Sequence, residues 1–333
     1  MKERKMVLGA RNALEAVLEV GKGSTVLVVT DRPKLSIGRA FEEGARGLGA
    51  EVQRYLLPEK RPMVELPADL GELVDSYKGR AERHVFINAF SGIAEETPVR
   101  IALIKREIAT GARVGHAPGI TEEMMTEGPM SVDYRAIANQ AFALIERFRG
   151  AEEVRITAPS GTDIALRIEG RPFETDLLIK NGAMGNLPAG EIWCAPIEES
   201  GEGVVVCDGS IGDLGPVPKP LRISVRRGRI EEVEGGSGEL LDRLRELLNV
   251  DEMAGVVGEL GIGLNPGARI TGNLLEDEKA GGTAHIAFGN NTEMPGGRNN
   301  SKTHRDFLFH GPTIEVVFGG GTRRTLLNDG RIT

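Results

Sequence analysis

The sequence predicts two differently built halves: an α/β N-terminal domain with a parallel sheet, followed by a mostly antiparallel, β-rich (α+β) domain. Three observations lead there. Up to about position 145, short β-branched apolar runs alternate with stretches of helical period, the pattern of a parallel sheet covered on both faces. Beyond Gly150 the apolar runs shorten and glycines crowd in, with turn signals about every 8–12 residues, as antiparallel strands require. The whole chain, 333 residues at 40% apolar with 45 glycines, is long enough for two medium domains that each close a core.

Taken in order, residues 6–20 have helical spacing, and 24–30 form a β-branched run bounded by Gly23 and by Asp31-Arg32-Pro33. Residues 34–48 are helical again, 54–57 make a second strand, 84–90 a third, and a helix runs on through position 108. His116-Ala117-Pro118-Gly119 reads as a loop and Thr121 as a helix cap. Residues 131–148 form the helix that closes a Rossmann-like domain of residues 1–148. Such sheets bind ligands at the C-terminal strand ends. No G-x-G-x-x-G or Walker pattern follows the first strand, so no nucleotide cofactor is expected. Residues 149–333 form the second domain, with short strands at 154–157, 164–168, 203–207, 221–225 and 314–318 and one helix at 237–248. They suit an antiparallel sheet or a barrel-like arrangement.

Acidic residues outnumber basic ones 49 to 41, for a net charge of −8, which argues against the basic surface of a nucleic-acid binder. No apolar run approaches the roughly 18 residues a membrane span needs, and the first twenty positions lack a secretory core, so a cytoplasmic protein without membrane partners is expected. Cys194 and Cys207 have neither zinc-type nor disulfide-framework spacing and read as buried thiols. Ion-pair formers are dense, as in Asp242-Arg243-Leu244-Arg245-Glu246, a usage that suits a thermophile.

The chemistry concentrates in the second domain. In His304-Arg305-Asp306, a strand would project the imidazole and the carboxylate to one side, half of a divalent-metal site or, equally, a buried ion pair. His285 stands in an apolar, glycine-flanked run, where a hydrogen-bonded core histidine is the plain alternative. Glu191 and Glu259 each follow a glycine and precede apolar residues, and burying either unpaired would cost several kcal/mol. A metal or an arginine partner would compensate. Two glutamates, two histidines and an aspartate exceed the needs of one structural zinc and would suit paired metals about 3.5–4 Å apart. Trp193 and Phe288 adjoin these residues and are expected to wall the pocket, while His84 and His310 read as incidental.

These residues also carry a resemblance. Asn-Leu-Pro-Ala-Gly-Glu ending at Glu191, Gly258-Glu259, Asp277-Glu278-Lys279 leading to His285-Ile286-Ala287-Phe288-Gly289, and Ser301-Lys302-Thr303-His304-Arg305-Asp306-Phe307 occur in the order seen in the thermophilic-type metallo-aminopeptidases. Gly161-Thr162-Asp163 matches a motif near the start of that family's catalytic domain, and the likeness spans most of residues 150–318. The resemblance implies a hydrolase that removes N-terminal residues from peptides with two divalent metal ions, commonly zinc, cobalt or manganese. It implies Glu191, Glu259, His285, His304 and Asp306 as metal ligands, with Glu259 also deprotonating the attacking water, and a homodimer as the assembly. The family's tyrosine seven residues after the His285 equivalent is Thr292 here, with Glu293 next to it as a substitute oxygen ligand. Two alternatives stay open. The related 2,5-dihydroxypyridine dioxygenases hold one iron through two histidines and a carboxylate, which would be His285, His304 and Asp306; a catalytically inactive metal-binding relic is the other.

Overall fold

The β-branched runs of the first third become strands of a parallel sheet in a computed structural model, which describes residues 1–80 and 83–333. Strand β1 (Ser24–Thr30) lies between β2 (Glu51–Leu56) and β3 (Arg83–Ala89), and β3 pairs with β4 (Arg113–His116), all parallel. From β1, Leu27 and Val29 join Phe86, Phe90 and Val114 in a core with Leu70 and Val74 of helix Ala68–Asp75 and Leu103 of helix Thr97–Ile108. Helices Lys2–Ala16 and Leu35–Gly47 pack on each other so closely that a methyl at Gly44 would sit 2.9 Å from the Arg11 amide nitrogen. The helix expected from position 131 starts at Tyr134, after Asp133 accepts a hydrogen bond from the Ala136 amide.

One strand of this sheet was not legible: Ala183–Asn186 pairs in parallel with β4. Its sequence, Ala-Met-Gly-Asn, has no β-branched residue, and it is held by the open edge of β4 rather than by its own propensity. The chain therefore divides into a first compact unit of residues 1–138 and 176–190 and a second of 139–175 and 191–333, whereas the sequence suggested a single boundary at 148/149.

The second unit is antiparallel, as expected, but built as two sheets. In an eight-stranded sheet, Ala151–Thr157 lies between Asp163–Arg167 and Thr313–Phe318. A seven-stranded sheet contains, side by side, His304–His310, Thr283–Gly289, Val257–Gly263 and Glu191–Cys194. All seven residues of both middle strands are buried, so these strands are enclosed on two faces. Among the described residues, no helix is long and apolar enough to cross a membrane.

Candidate metal centre

Cross-strand partners in an antiparallel sheet project to the same face. The register sets Ala287 opposite both Glu259 and Asp306, Gly261 opposite His285, Gly263 opposite Glu191, and Gly289 opposite His304. All five sequence-predicted residues therefore rise from one face, each beside a glycine or alanine. The small neighbours make the room. A methyl on Gly261 would lie 2.0 Å from His285 Nε2.

The groups meet closely. His285 Nε2 is 3.4 Å from Glu259 Oε1 and 3.7 Å from both Glu191 Oε2 and Asp306 Oδ1. His304 Nε2 is 3.0 Å from Glu259 Oε2 and 3.5 Å from Asp306 Oδ1. Glu259 thus turns one oxygen toward each imidazole. Two groups of potential ligands result, Glu191–Glu259–His285 and Glu259–His304–Asp306, with Glu259 common to both. Ligands about 2.1 Å from a shared ion lie about 3.0–3.4 Å from one another, close to the spacings here, so the donor set fits a divalent cation. Four of the five side chains are nearly sealed from solvent, and the His304 side chain, 32% exposed, is the open side.

The electrostatics call for cations. Burial alone would raise the Glu259 and Asp306 carboxyls, but the two imidazoles hold both below the ordinary carboxylate range. Burial would likewise lower His285, yet Glu259, Asp306 and Glu191 overcome it and push the imidazole up to about 9. His304 is raised for the same reason, by Asp306 and Glu259.

Surrounding groups aim the rings. His304 Nδ1 donates to the Asn290 carbonyl at 2.7 Å, which directs Nε2 into the cluster, the usual support for a ligating histidine. That carbonyl sits on a loop pinned by Asn299, whose side chain donates to the Gly289 carbonyl at 2.6 Å, and by Asn291, which donates to the Gly258 carbonyl at 3.1 Å. Glu198 ties the same loop down by accepting from Asn291 and from the Arg298 amide, and is itself paired with Arg171 at 2.9 Å. His285 Nδ1 is buried and, among the described residues, has no hydrogen-bond partner.

Other expectations need correction or completion. Phe288 does not wall the site: it alternates to the opposite face and packs edge-on against Phe307 at 5.5 Å. His116 is not in a loop; it ends β4 and is buried. Thr292 is exposed and its hydroxyl donates to Asn290 Oδ1 at 3.0 Å, while Glu293 is also exposed and neither belongs to the ligand groups. In Gly161-Thr162-Asp163, Thr162 braces the backbone of Val206 and Asp163 pairs with Arg155 on the surface, so this motif shapes the fold. His84 bonds to Thr110 and His310 ends its strand in the open; Cys194 and Cys207 are buried and free.

Sequence reasoning missed one side chain beside the cluster. Lys279 is fully buried, with Nζ 2.5 Å from Glu191 Oε1 and in contact with the Glu278 carboxylate. The Asp277-Glu278-Lys279 run carries part of the resemblance, but the contact is a product of the fold, in which the Lys279 carbonyl accepts from the Asn265 amide and its ammonium meets Glu191.

Comparison with known proteins places this geometry in context. Residues 135–332 match the model of the thermophilic metalloprotease (M29) family. Aminopeptidase T of Thermus thermophilus is 31% identical over 195 residues, covering 51% of this chain and 47% of the relative. Aminopeptidase T of Thermus aquaticus is 32% identical over 166 residues, covering 44% and 40%. The matched stretches thus span less than half the length of those relatives. Two solved structures share the fold over nearly the whole length of both chains. The 2,5-dihydroxypyridine dioxygenase of Pseudomonas putida KT2440 aligns with a TM-score of 0.76 at 16% identity, covering 99% of this chain and 97% of that one. Wild-type AmpT of Thermus thermophilus aligns with a TM-score of 0.71 at 20% identity, covering 100% of both.

Proposed function

The chain belongs to the thermophilic metalloprotease (M29) family, and from that premise we propose that it is a metallo-aminopeptidase whose centre uses two divalent ions of the zinc, cobalt or manganese type. One observation carries the reading: five ligand-type side chains from four adjacent strands converge on one face at 3.0–3.7 Å, in two groups that share Glu259. Glu191, Glu259 and His285 would hold one ion, and Glu259, His304 and Asp306 the other. When bound, the pair supplies Lewis acidity that polarises a scissile carbonyl and makes water a competent nucleophile near neutral pH.

The chain's own groups do the rest. Glu259 lies between the imidazoles, where it is the candidate to orient the attacking water and accept its proton. The Asn290 carbonyl holds the tautomer of His304 that leaves Nε2 for ligation. Burial of the other four side chains excludes bulk water and confines approach to the His304 side, where a peptide with a free N-terminus would enter. A cytoplasmic homodimer is proposed on the sequence resemblance alone.

The mononuclear alternative would use His285, His304 and Asp306 alone as a two-histidine, one-carboxylate iron site. Glu191 and Glu259 stand at similar spacings from His285, and a single iron on His285, His304 and Asp306 would leave these two further ligand-type carboxylates out of the donor set. That supports the two-ion reading. The test combines metal counting on protein purified without chelator with hydrolysis of a panel of aminoacyl-anilides under added cobalt, zinc or manganese. Two divalent ions per chain and release of the N-terminal residue are expected; a single bound iron with no hydrolysis would replace this reading by the dioxygenase one, divalent ions bound without hydrolysis would replace it by the inactive relic, and no bound ion would overturn the metal centre.

A further inference from the structure

We propose that Lys279 makes the two halves of the centre unequal, so that the Glu259–His304–Asp306 group holds a retained ion and the Glu191–Glu259–His285 group an exchangeable one. The inference rests on the two-ion reading above. Each group offers two carboxylates and one imidazole, and they share Glu259, so their donor chemistry is matched. What differs is the neighbour of the unshared carboxylate. Glu191 has the Lys279 ammonium 2.5 Å from Oε1, while Oε2 is the oxygen turned toward His285. Asp306, among the described residues, faces only the two imidazoles as oppositely charged partners. Its neighbour Arg305 points to the reverse face, where it donates to the Gly212 carbonyl and pairs with Asp213.

A fixed positive charge in a water-excluded site opposes a cation on the same carboxylate and is screened by little. Lys279 is fully buried, so it has no solvent-facing position to retreat to, and contact with Glu278 anchors it. The same ammonium holds Glu191 in place through its contact with Oε1. Lys279 is a positioning residue in this scheme. It acts through Glu191 and the local charge.

The test is a cobalt(II) titration of metal-free protein, followed by visible absorption, with a count of ions kept per chain after desalting. The wild type should bind in two steps and keep about one ion. Asp306→Asn should remove the tight step and Glu191→Gln the weak one; the reverse assignment overturns the proposal. Lys279→Met should tighten the weak step about tenfold or more and raise the count of ions kept, while Lys279→Arg preserves two unequal steps. Glu278→Gln, which leaves the ammonium less compensated, should weaken the same step further. A purely structural role would weaken binding in both directions, so the opposite signs are the signature. If Lys279→Met does not fold, Lys279→Gln carries the same expectation. Two equal steps in the wild type, or a weak step that Lys279→Met leaves unchanged or loosens, overturn the inequality while leaving the two-ion reading intact. A wild type that binds no cobalt overturns both.

Discussion

In the first unit, Glu107 is buried and its carboxyl is pushed up to about 8 by that burial, against a 2.8 Å hydrogen bond from Asn88. On the strand beside Asn88, His116 is pushed down to about 3 by burial, with Arg100 adding repulsion. Both groups resolve the cost of burial by giving up charge. In the second unit, Glu259, Asp306, His285 and His304 meet burial of the same kind and shift the opposite way, because carboxylates and imidazoles face one another at 3.0–3.7 Å. Residue type and depth do not separate a neutral core polar group from a cation-seeking centre. The number of opposite charges brought to one point does.

Four experiments would break or sharpen that contrast. The largest effect belongs to the double substitution His304→Ala with Asp306→Ala, which should abolish metal retention while leaving the circular dichroism spectrum unchanged; normal metal content would place the site elsewhere. Next is Glu107→Gln. The folded pKa lies above the unfolded value, so the wild type's advantage is complete below about pH 4.5 and drains away as pH climbs through about 8. At pH 9 the ionised wild type should have lost on the order of 4 kcal/mol that the amide variant keeps, read as a gap between their melting curves that is absent near pH 5. A gap that does not grow with pH would mean Glu107 is already ionised in the fold. Gly261→Ala should cost about 1–3 kcal/mol by overpacking against His285 and loosen metal binding together with stability; retained metal affinity would show that the small-residue face is not what makes room for the ring. The smallest effect is expected from Asp163→Asn. Its partner Arg155 is solvent-exposed, so metal content and melting temperature should match the wild type, in contrast to every substitution in the cluster.

Much of the scaffold could be read in advance because local signals were strong. The run at 24–30 is the strand Ser24–Thr30, and the Ser237 cap begins the helix Gly238–Leu248. Ala183–Asn186 could not be read, since its place comes from pairing with β4 and its own residues favour no strand. At the site, the period-two rule already put His304 and Asp306 on one side, and glycine-flanked glutamates in apolar runs marked Glu191 and Glu259. The same rule puts Phe288 on the opposite face, since its neighbour Ala287 takes the inward position. Glu293, a substitute oxygen ligand by its place in the sequence, is exposed and lies outside both ligand groups, because nearness in sequence says little across a loop.

By itself, the sequence determined the fold class and the family and pointed to five candidate ligands, because periodicity, glycine placement and motif order are local properties of the chain. Tertiary structure decided how those residues meet. Antiparallel register, a relation between strands as remote in sequence as those of Glu191 and Gly263, placed Glu259 between two imidazoles and opposed each charged group with a glycine or alanine. It also buried Lys279 against Glu191. No local pattern encodes that contact, since the residues that enclose a lysine are remote from it in the chain, and its charge matters only once water has been removed.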